Sequence, residues 1–199
     1  MEKNSETAAR TRGVFTRLRI RDLVFIALAS AAMIVTCAIM PLFASIQLFG
    51  VNFLAVSLQI ACFQAIILGR VRKVGASFIS MTLLGLFHLA FSVWMCPVCI
   101  VAGLLGELFG ALVFRGYTRS YAVGITAALM PVLTAAGSIG ITFAVSGQEA
   151  LQSLFLAGTA FWIPLVVSLG ILGLAIVGSS FGTWAIFKLR AKGVFKDAE

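Results

Sequence analysis

The chain has 199 residues, of which 61% are hydrophobic and 11% are charged, and its mean hydropathy is +1.08. About a quarter of the residues of a soluble domain are charged, so this composition excludes an ordinary water-soluble protein. Fifteen Lys and Arg against seven Asp and Glu give a net charge of +8 at pH 7, which in a soluble chain would suggest a nucleic-acid partner. The positions of the charges indicate instead a polytopic membrane protein, whose orientation in the membrane these charges set.

The basic residues fall into four clusters separated by long apolar stretches. Each of the three stretches exceeds the roughly 20 residues that one spanning helix needs, so each is predicted to hold two helices. The expected fold is all-α with six transmembrane helices, because the apolar runs are continuous and barrel strands alternate apolar with polar residues. The clusters are Lys3, Arg10, Arg12, Arg17, Arg19 and Arg21; Arg70, Arg72 and Lys73; Arg115 and Arg119; and Lys188, Arg190, Lys192 and Lys196.

The predicted order along the chain is a basic cytoplasmic segment at 1–22, a transmembrane domain at 23–187 and a basic cytoplasmic tail at 188–199. Because basic loops stay in the cytoplasm, both termini are predicted to be cytoplasmic, in the cell membrane of a prokaryote. The last helix is expected to begin with a turn near 157–162. The six predicted helices are 23–40, 51–69, 74–95, 98–114, 122–145 and 151–187.

Two ionisable side chains, His88 and Glu107, fall within the predicted spans. Such groups are costly in a bilayer and normally face a cavity or a partner. At a rise of 1.5 Å per residue they lie about 10 and 13 Å from the outer ends of their helices, which predicts a similar depth. Two interpretations stay open: they line a substrate cavity, or they only fix helix packing.

Sulfur atoms gather near the predicted outer ends of the helices. A Cys-x-x-Cys pair, Cys96 and Cys99, follows Met95, and Cys37 lies near the outer end of helix 1. Soft sulfur ligands suit haem iron, cobalt or copper, a disulfide is possible on an outer face, and Cys and Met also serve as packing residues. A structural zinc site is disfavoured because no second closely spaced Cys or His pair is present.

Four further residues are candidates for the lining of an outward-facing cavity. Gln47 and Asn52 supply polar groups near the connection between helices 1 and 2, and binding sites are largely apolar with a few polar groups. Trp94 and Trp162 lie near predicted outer ends. Interfacial loops and headgroup-level Trp anchors explain the same positions.

Small residues mark two possible association faces. Ala27 and Ala31 lie one turn apart on helix 1, and small residues at this spacing let helices approach closely in lipid. Gly103, Gly106 and Gly110 form a second such face on helix 4, for which packing within the chain is the favoured interpretation.

Three features together resemble the substrate-binding S components of energy-coupling factor (ECF) transporters. They are the six predicted helices in 199 residues, a basic N-terminus that runs into Arg21-Asp22-Leu23, and the Ala27 and Ala31 face. Within that group, the Gly106-Glu107 step and the tail at 182–196, with Lys188, Lys192, Phe195 and Lys196, look like the Trep_Strep integral membrane family.

This resemblance implies a small membrane protein that binds a vitamin or cofactor at its outer face. Ala27 and Ala31 would then dock on a transmembrane coupling subunit driven by two ATPase subunits, so the chain itself would not be an enzyme. Haem or a corrinoid is the first substrate hypothesis, with His88, Cys96 and Cys99 as candidate ligands of its metal. No phosphate-binding Gly-rich loop is found in the sequence, in agreement with ATP hydrolysis by partners.

A different class of function is a membrane thiol-disulfide oxidoreductase that uses Cys96 and Cys99. Such enzymes usually relay electrons through a second outer thiol pair, and only Cys37 is available for it. A solitary channel or secondary transporter is disfavoured, because no inverted repeat is evident and intramembrane charge is scarce.

Overall fold

The computed structural model describes residues 18–38, 51–156 and 162–193. Within these ranges the chain forms six helices and no strands. An all-helical protein is therefore confirmed for the described part. The helices are α1 (Ile20–Cys37), α2 (Val51–Val71), α3 (Ala76–His88), α4 (Met95–Phe114), α5 (Ser120–Leu156) and α6 (Trp162–Ala191).

Four segments among the described residues are long and apolar enough to cross a membrane. They are Ile20–Cys37, Met95–Phe114, Ser120–Val145 and Leu165–Ala191. The apolar helical segments Val56–Val71 and Ala76–His88 are shorter. These lengths fit a multi-pass membrane protein.

The largest differences from the sequence-based prediction lie at the end of α3 and between α5 and α6. α3 ends at His88 rather than at residue 95, because the amides of Ala90 and Phe91 donate to the carbonyls three residues earlier instead of four. α5 continues past residue 145, where the fifth predicted helix ends, to Leu156, and α6 begins at Trp162 rather than at residue 151. A single glycine such as Gly147 costs a helix only about 1 kcal/mol and does not end it. The turn expected near 157–162 falls largely outside the described residues.

The helices pack around α2, which contacts α1, α3, α5 and α6. α3 packs on α4, α4 on α5, and α5 on α6, so the chain closes around this central helix. The contact between α2 and α6 is close because Gly178 and Gly182, one turn apart, leave no room for a side chain. A Cβ atom at either glycine would collide with the backbone carbonyl of Leu58 or Cys62, respectively.

Several contacts bring basic clusters together at one end of the bundle, called here the basic end. Lys73 forms an ion pair with Asp22 at 2.7 Å, which joins the start of α1 to the connection after α2. The Arg72 guanidinium lies over the Phe187 ring of α6 at 4.9 Å. The ends of α1, α2 and α6 that carry Lys and Arg therefore face the same side, as expected for basic loops on one side of a membrane.

Candidate functional site

Glu107 is buried in the half of the bundle nearest the basic end, where it caps the N-terminus of α3. Its Oε1 accepts a hydrogen bond from the Gly75 amide at 2.7 Å, and its Oε2 accepts from the Ser77 and Phe78 amides at 3.0 Å each. Gly75 has a φ of 99°, which favours glycine, and this turn aims the amides at α4. A carboxylate can only accept, and the first amides of a helix can only donate, so the two groups match.

Tyr117 completes this site from the connection between α4 and α5. Its hydroxyl donates to Oε1 of Glu107 at 3.2 Å. Burial, together with the neighbouring Glu107 carboxylate, raises the pKa of Tyr117, so the hydroxyl remains a donor. Gly110 makes room for the ring, because a Cβ atom there would lie 2.5 Å from the Tyr117 oxygen.

A chain of buried hydrogen bonds continues from Glu107 to α1. The Ser77 hydroxyl donates to Oε1 of Gln64 at 3.1 Å, and Nε2 of Gln64 donates to the Ser80 hydroxyl at 3.2 Å. The Ser30 hydroxyl of α1 donates to the same Ser80 oxygen at 2.9 Å. Ser30, Gln64, Ser77 and Ser80 are fully buried. This polar chain holds α1 to α2, α3 and α4 and leaves no space for a ligand among its members.

His88 lies at the other end of α3 from Glu107. Ser77, which contacts Glu107, and His88 are eleven residues apart, or about 16 Å along the helix. The two ionisable groups therefore do not share the depth that the sequence predicted. Nδ1 of His88 lies 2.8 Å from the Leu84 carbonyl oxygen, which can only accept, so Nδ1 carries the proton. Nε2 is the remaining ring nitrogen, the one through which His88 would contact a ligand.

A pocket of about 190 Å³ lies near this end, between the start of α4 and the middle of α5. Trp94 and Met95, both predicted lining residues, contribute to it. The Thr142 hydroxyl bonds its own helix at the Ser138 carbonyl, 2.9 Å away. Side chains that line the pocket are Ser92, Trp94, Met95, Val98, Ser138, Ile141, Thr142 and Val145.

The hydroxyl groups of this pocket are not among the residues predicted from the sequence. Ser138 and Thr142 are four residues apart on α5, so they share one face of the helix. That spacing was the available signal. Ser92 carried no such signal in the sequence, because its position in the structure depends on the turn after His88.

Three of the four cysteines lie in the interior of the bundle. Cys37, Cys96 and Cys99 are buried free thiols, and both Cys37 and Cys96 lie near Cys99. Cys99 packs against Gly85 of α3, where a Cβ atom would come within 3.1 Å of the cysteine side chain. Among the described residues, no group of three His, Cys, Asp or Glu is placed to hold a metal ion.

Three of the remaining candidates have no described side chain. Gln47 lies outside the described residues, and Asn52 and Trp162 belong to α2 and α6 at positions where side chains are not described. Ala27 and Ala31 are exposed on α1. The glycines of α4 pack inside the chain instead: a Cβ atom would collide with Met81 at Gly103 and with Met130 at Gly106.

The chain was also compared with known proteins. No protein-family model matches it, and no curated protein or solved structure gives a significant match.

Proposed function

We propose that this protein is the substrate-binding S component of an ECF-type importer, with six membrane spans and both termini in the cytoplasm. The observation that carries the proposal is the two-sided character of α1. One face is buried in the bundle through Ile26, Ser30 and Met33. The other face is exposed and carries Ala27 and Ala31.

The exposed face of α1 suits a partner helix better than it suits lipid alone. Small side chains allow close backbone approach, which is what drives helix association where no hydrophobic force operates. The polar chain fixes the opposite face through Ser30, which bonds to Ser80 at 2.9 Å. A partner that binds Ala27 and Ala31 would therefore act on a helix firmly connected to the rest of the bundle.

The substrate-binding end is proposed to be the one opposite the basic end. Basic loops face the cytoplasm, so the pocket that includes Trp94 and Met95 would open outward. Its lining combines an aromatic ring, a thioether and three hydroxyl groups, a mixture typical of small-molecule sites. The proposed substrate is a vitamin or cofactor, and a metal tetrapyrrole, haem or a corrinoid, is the first to test.

Glu107 is left out of the proposed substrate site. It accepts four hydrogen bonds from the chain itself, donated by Gly75, Ser77, Phe78 and Tyr117. A carboxylate so occupied has its acceptor capacity filled. Its proposed role is to fix α3 against α4.

The experiment is affinity purification of the tagged chain from membranes of its own host in mild detergent. An S component retains a transmembrane coupling subunit and two ATPase subunits, and ATP hydrolysis co-elutes with it. An optical spectrum and a native mass spectrum of the same preparation identify a bound substrate. Recovery of the chain without any ATPase would contradict the proposal.

The alternative function is a thiol-disulfide oxidoreductase. The proximity of Cys37 to Cys99 favours it, since a third thiol could relay electrons from the Cys96 and Cys99 pair. The full burial of Cys99 opposes it, because reactive thiols are partly exposed to their partners.

A further inference from the structure

An open groove of about 480 Å³ runs between α5 and α6 at the basic end of the bundle. It is separate from the proposed substrate pocket, which lies at the opposite end. Most of the surface that lines its floor is apolar, although hydroxyl groups of Ser and Thr also contribute, and three aromatic rings stand among the lining side chains. The lining includes Ser120, Tyr121, Gly124, Ser180, Trp184 and Phe187.

Each of the three aromatic rings in this groove has a cation beside it. Arg119 donates a hydrogen bond to the Tyr121 hydroxyl, whereas Lys188 lies over Trp184 at 4.4 Å and Arg72 over Phe187 at 4.9 Å. The hydrogen bond and the two cation–π contacts hold these long side chains beside the groove. The mouth of an otherwise apolar groove is therefore positively charged.

No carboxylate of the described side chains neutralises Arg119 or Lys188. Asp22 is paired with Lys73, and Glu107 is occupied at the cap of α3. The N-terminus of α5 adds further donors at the mouth, because the helix begins at Ser120. Cations, a hydroxyl and the first amides of a helix are groups that bind phosphate.

We propose that this groove binds an acidic phospholipid of the leaflet at the basic end. Its phosphate lies between Arg119 and Lys188, and an acyl chain follows the floor past Gly124. The charge at the mouth favours an anionic headgroup, and the apolar floor favours an acyl chain over a soluble anion. Basic pockets between helices on the cytoplasmic side are a recognised mode of lipid binding. The inference does not depend on the proposed transport role.

The test uses the full chain, purified in detergent and examined by native mass spectrometry with added lipid. Dioleoyl phosphatidylglycerol is compared with dioleoyl phosphatidylcholine, which has the same acyl chains and no net charge. Wild-type protein is expected to retain phosphatidylglycerol in preference to phosphatidylcholine. Equal retention of both lipids would overturn the proposal, as would displacement of the lipid by an equal concentration of inorganic phosphate.

Two variants and their matched controls locate the site. The double variant R119Q/K188Q is expected to lose about 25-fold in affinity for phosphatidylglycerol, at about fivefold for each basic residue, whereas R21Q, on α1 at the same end, changes little. Gly124→Leu fills the floor and should reduce retention. Gly173→Leu, on α6 where a side chain meets open space, should not. Wild-type retention in R119Q/K188Q would overturn the proposal even if Gly124→Leu fails to fold.

Discussion

The carboxylate of Glu107 accepts a hydrogen bond from the backbone amide of Ser77 at 3.0 Å, so that a side chain of α4 caps the N-terminus of α3. The two residues are 30 positions apart in the chain. This contact holds the Glu107 carboxylate inside the bundle, where four donors surround it, and together these bonds join α3, α4 and the connection to α5 into one unit.

Replacing Glu107 by Gln is predicted to destabilise the protein. An amide has one acceptor oxygen instead of two, and its NH2 group would face the donors of Gly75 or Ser77. Because each buried donor left unpaired costs about 1–3 kcal/mol, we expect a loss of about 2–4 kcal/mol. Thermal unfolding in detergent checks this, since about 1 kcal/mol corresponds to about 2–4 °C in a chain of this size.

Tyr117→Phe is the graded control for that measurement. It removes one of the four hydrogen bonds and keeps the ring against Gly110, so a smaller loss of about 1 kcal/mol is expected. A melting temperature of Glu107→Gln within a degree of wild type would show that the cap contributes nothing to stability.

His88→Ala is predicted to weaken substrate binding at the end opposite the basic end. With Nδ1 bonded to the Leu84 carbonyl, Nε2 is the nitrogen left for a contact with the proposed substrate, and losing such a contact costs about tenfold or more in affinity. Titration with haem and with a corrinoid measures the change. Leu89→Ala, at an exposed neighbour, is the control; an unchanged affinity in His88→Ala would assign His88 to packing.

The double variant C96S/C99S separates the two proposed functions. An S component has no chemical need for these thiols, so the variant should still bind its coupling subunit, with Cys62→Ser as the control. A thiol oxidoreductase would lose all activity, because thiolates carry the exchange reaction. Retained partner binding supports the transport role, and complete loss of a thiol-dependent activity supports the enzyme.

Reporter fusions test how many helices cross the membrane. Fusions after Arg72 and after Thr118 are predicted to place the reporter in the cytoplasm, and a fusion after Ser92 should place it outside. The last fusion is decisive for α3, which has 13 residues and is short for a full crossing. A cytoplasmic signal after Ser92, or an external signal after Arg72, would contradict six spans.

The helical fold could be predicted from sequence because long apolar runs indicate membrane-spanning helices and basic clusters indicate the loops between them. Helix ends were less predictable. The apolar sequence continues from His88 to Met95, whereas the turn there is made by backbone hydrogen bonds that leave no trace in hydropathy. Conversely, the polar residues at 146–149 resemble a break, yet nothing in them prevents a helix.

The candidate site was predictable only in part, for a related reason. Trp94 was predicted from its place near an outer helix end and Met95 from the sulfur atoms beside it, and both line the pocket. Ser77 and Gln64 were not, since a serine or glutamine in an apolar run gives no sign of its partner. Their pairing depends on which helices meet in space, and a single sequence does not encode that in any local pattern.

The most direct test of the transport role is docking through α1. Ala27→Trp and Ala31→Trp are introduced together, and co-purification with the coupling and ATPase subunits is compared with that of Ala136→Trp, an exposed alanine on α5. We predict that the α1 variant loses these subunits while it still folds and binds its substrate, because bulky side chains prevent close helix approach. Undiminished co-purification of the α1 variant would contradict the account.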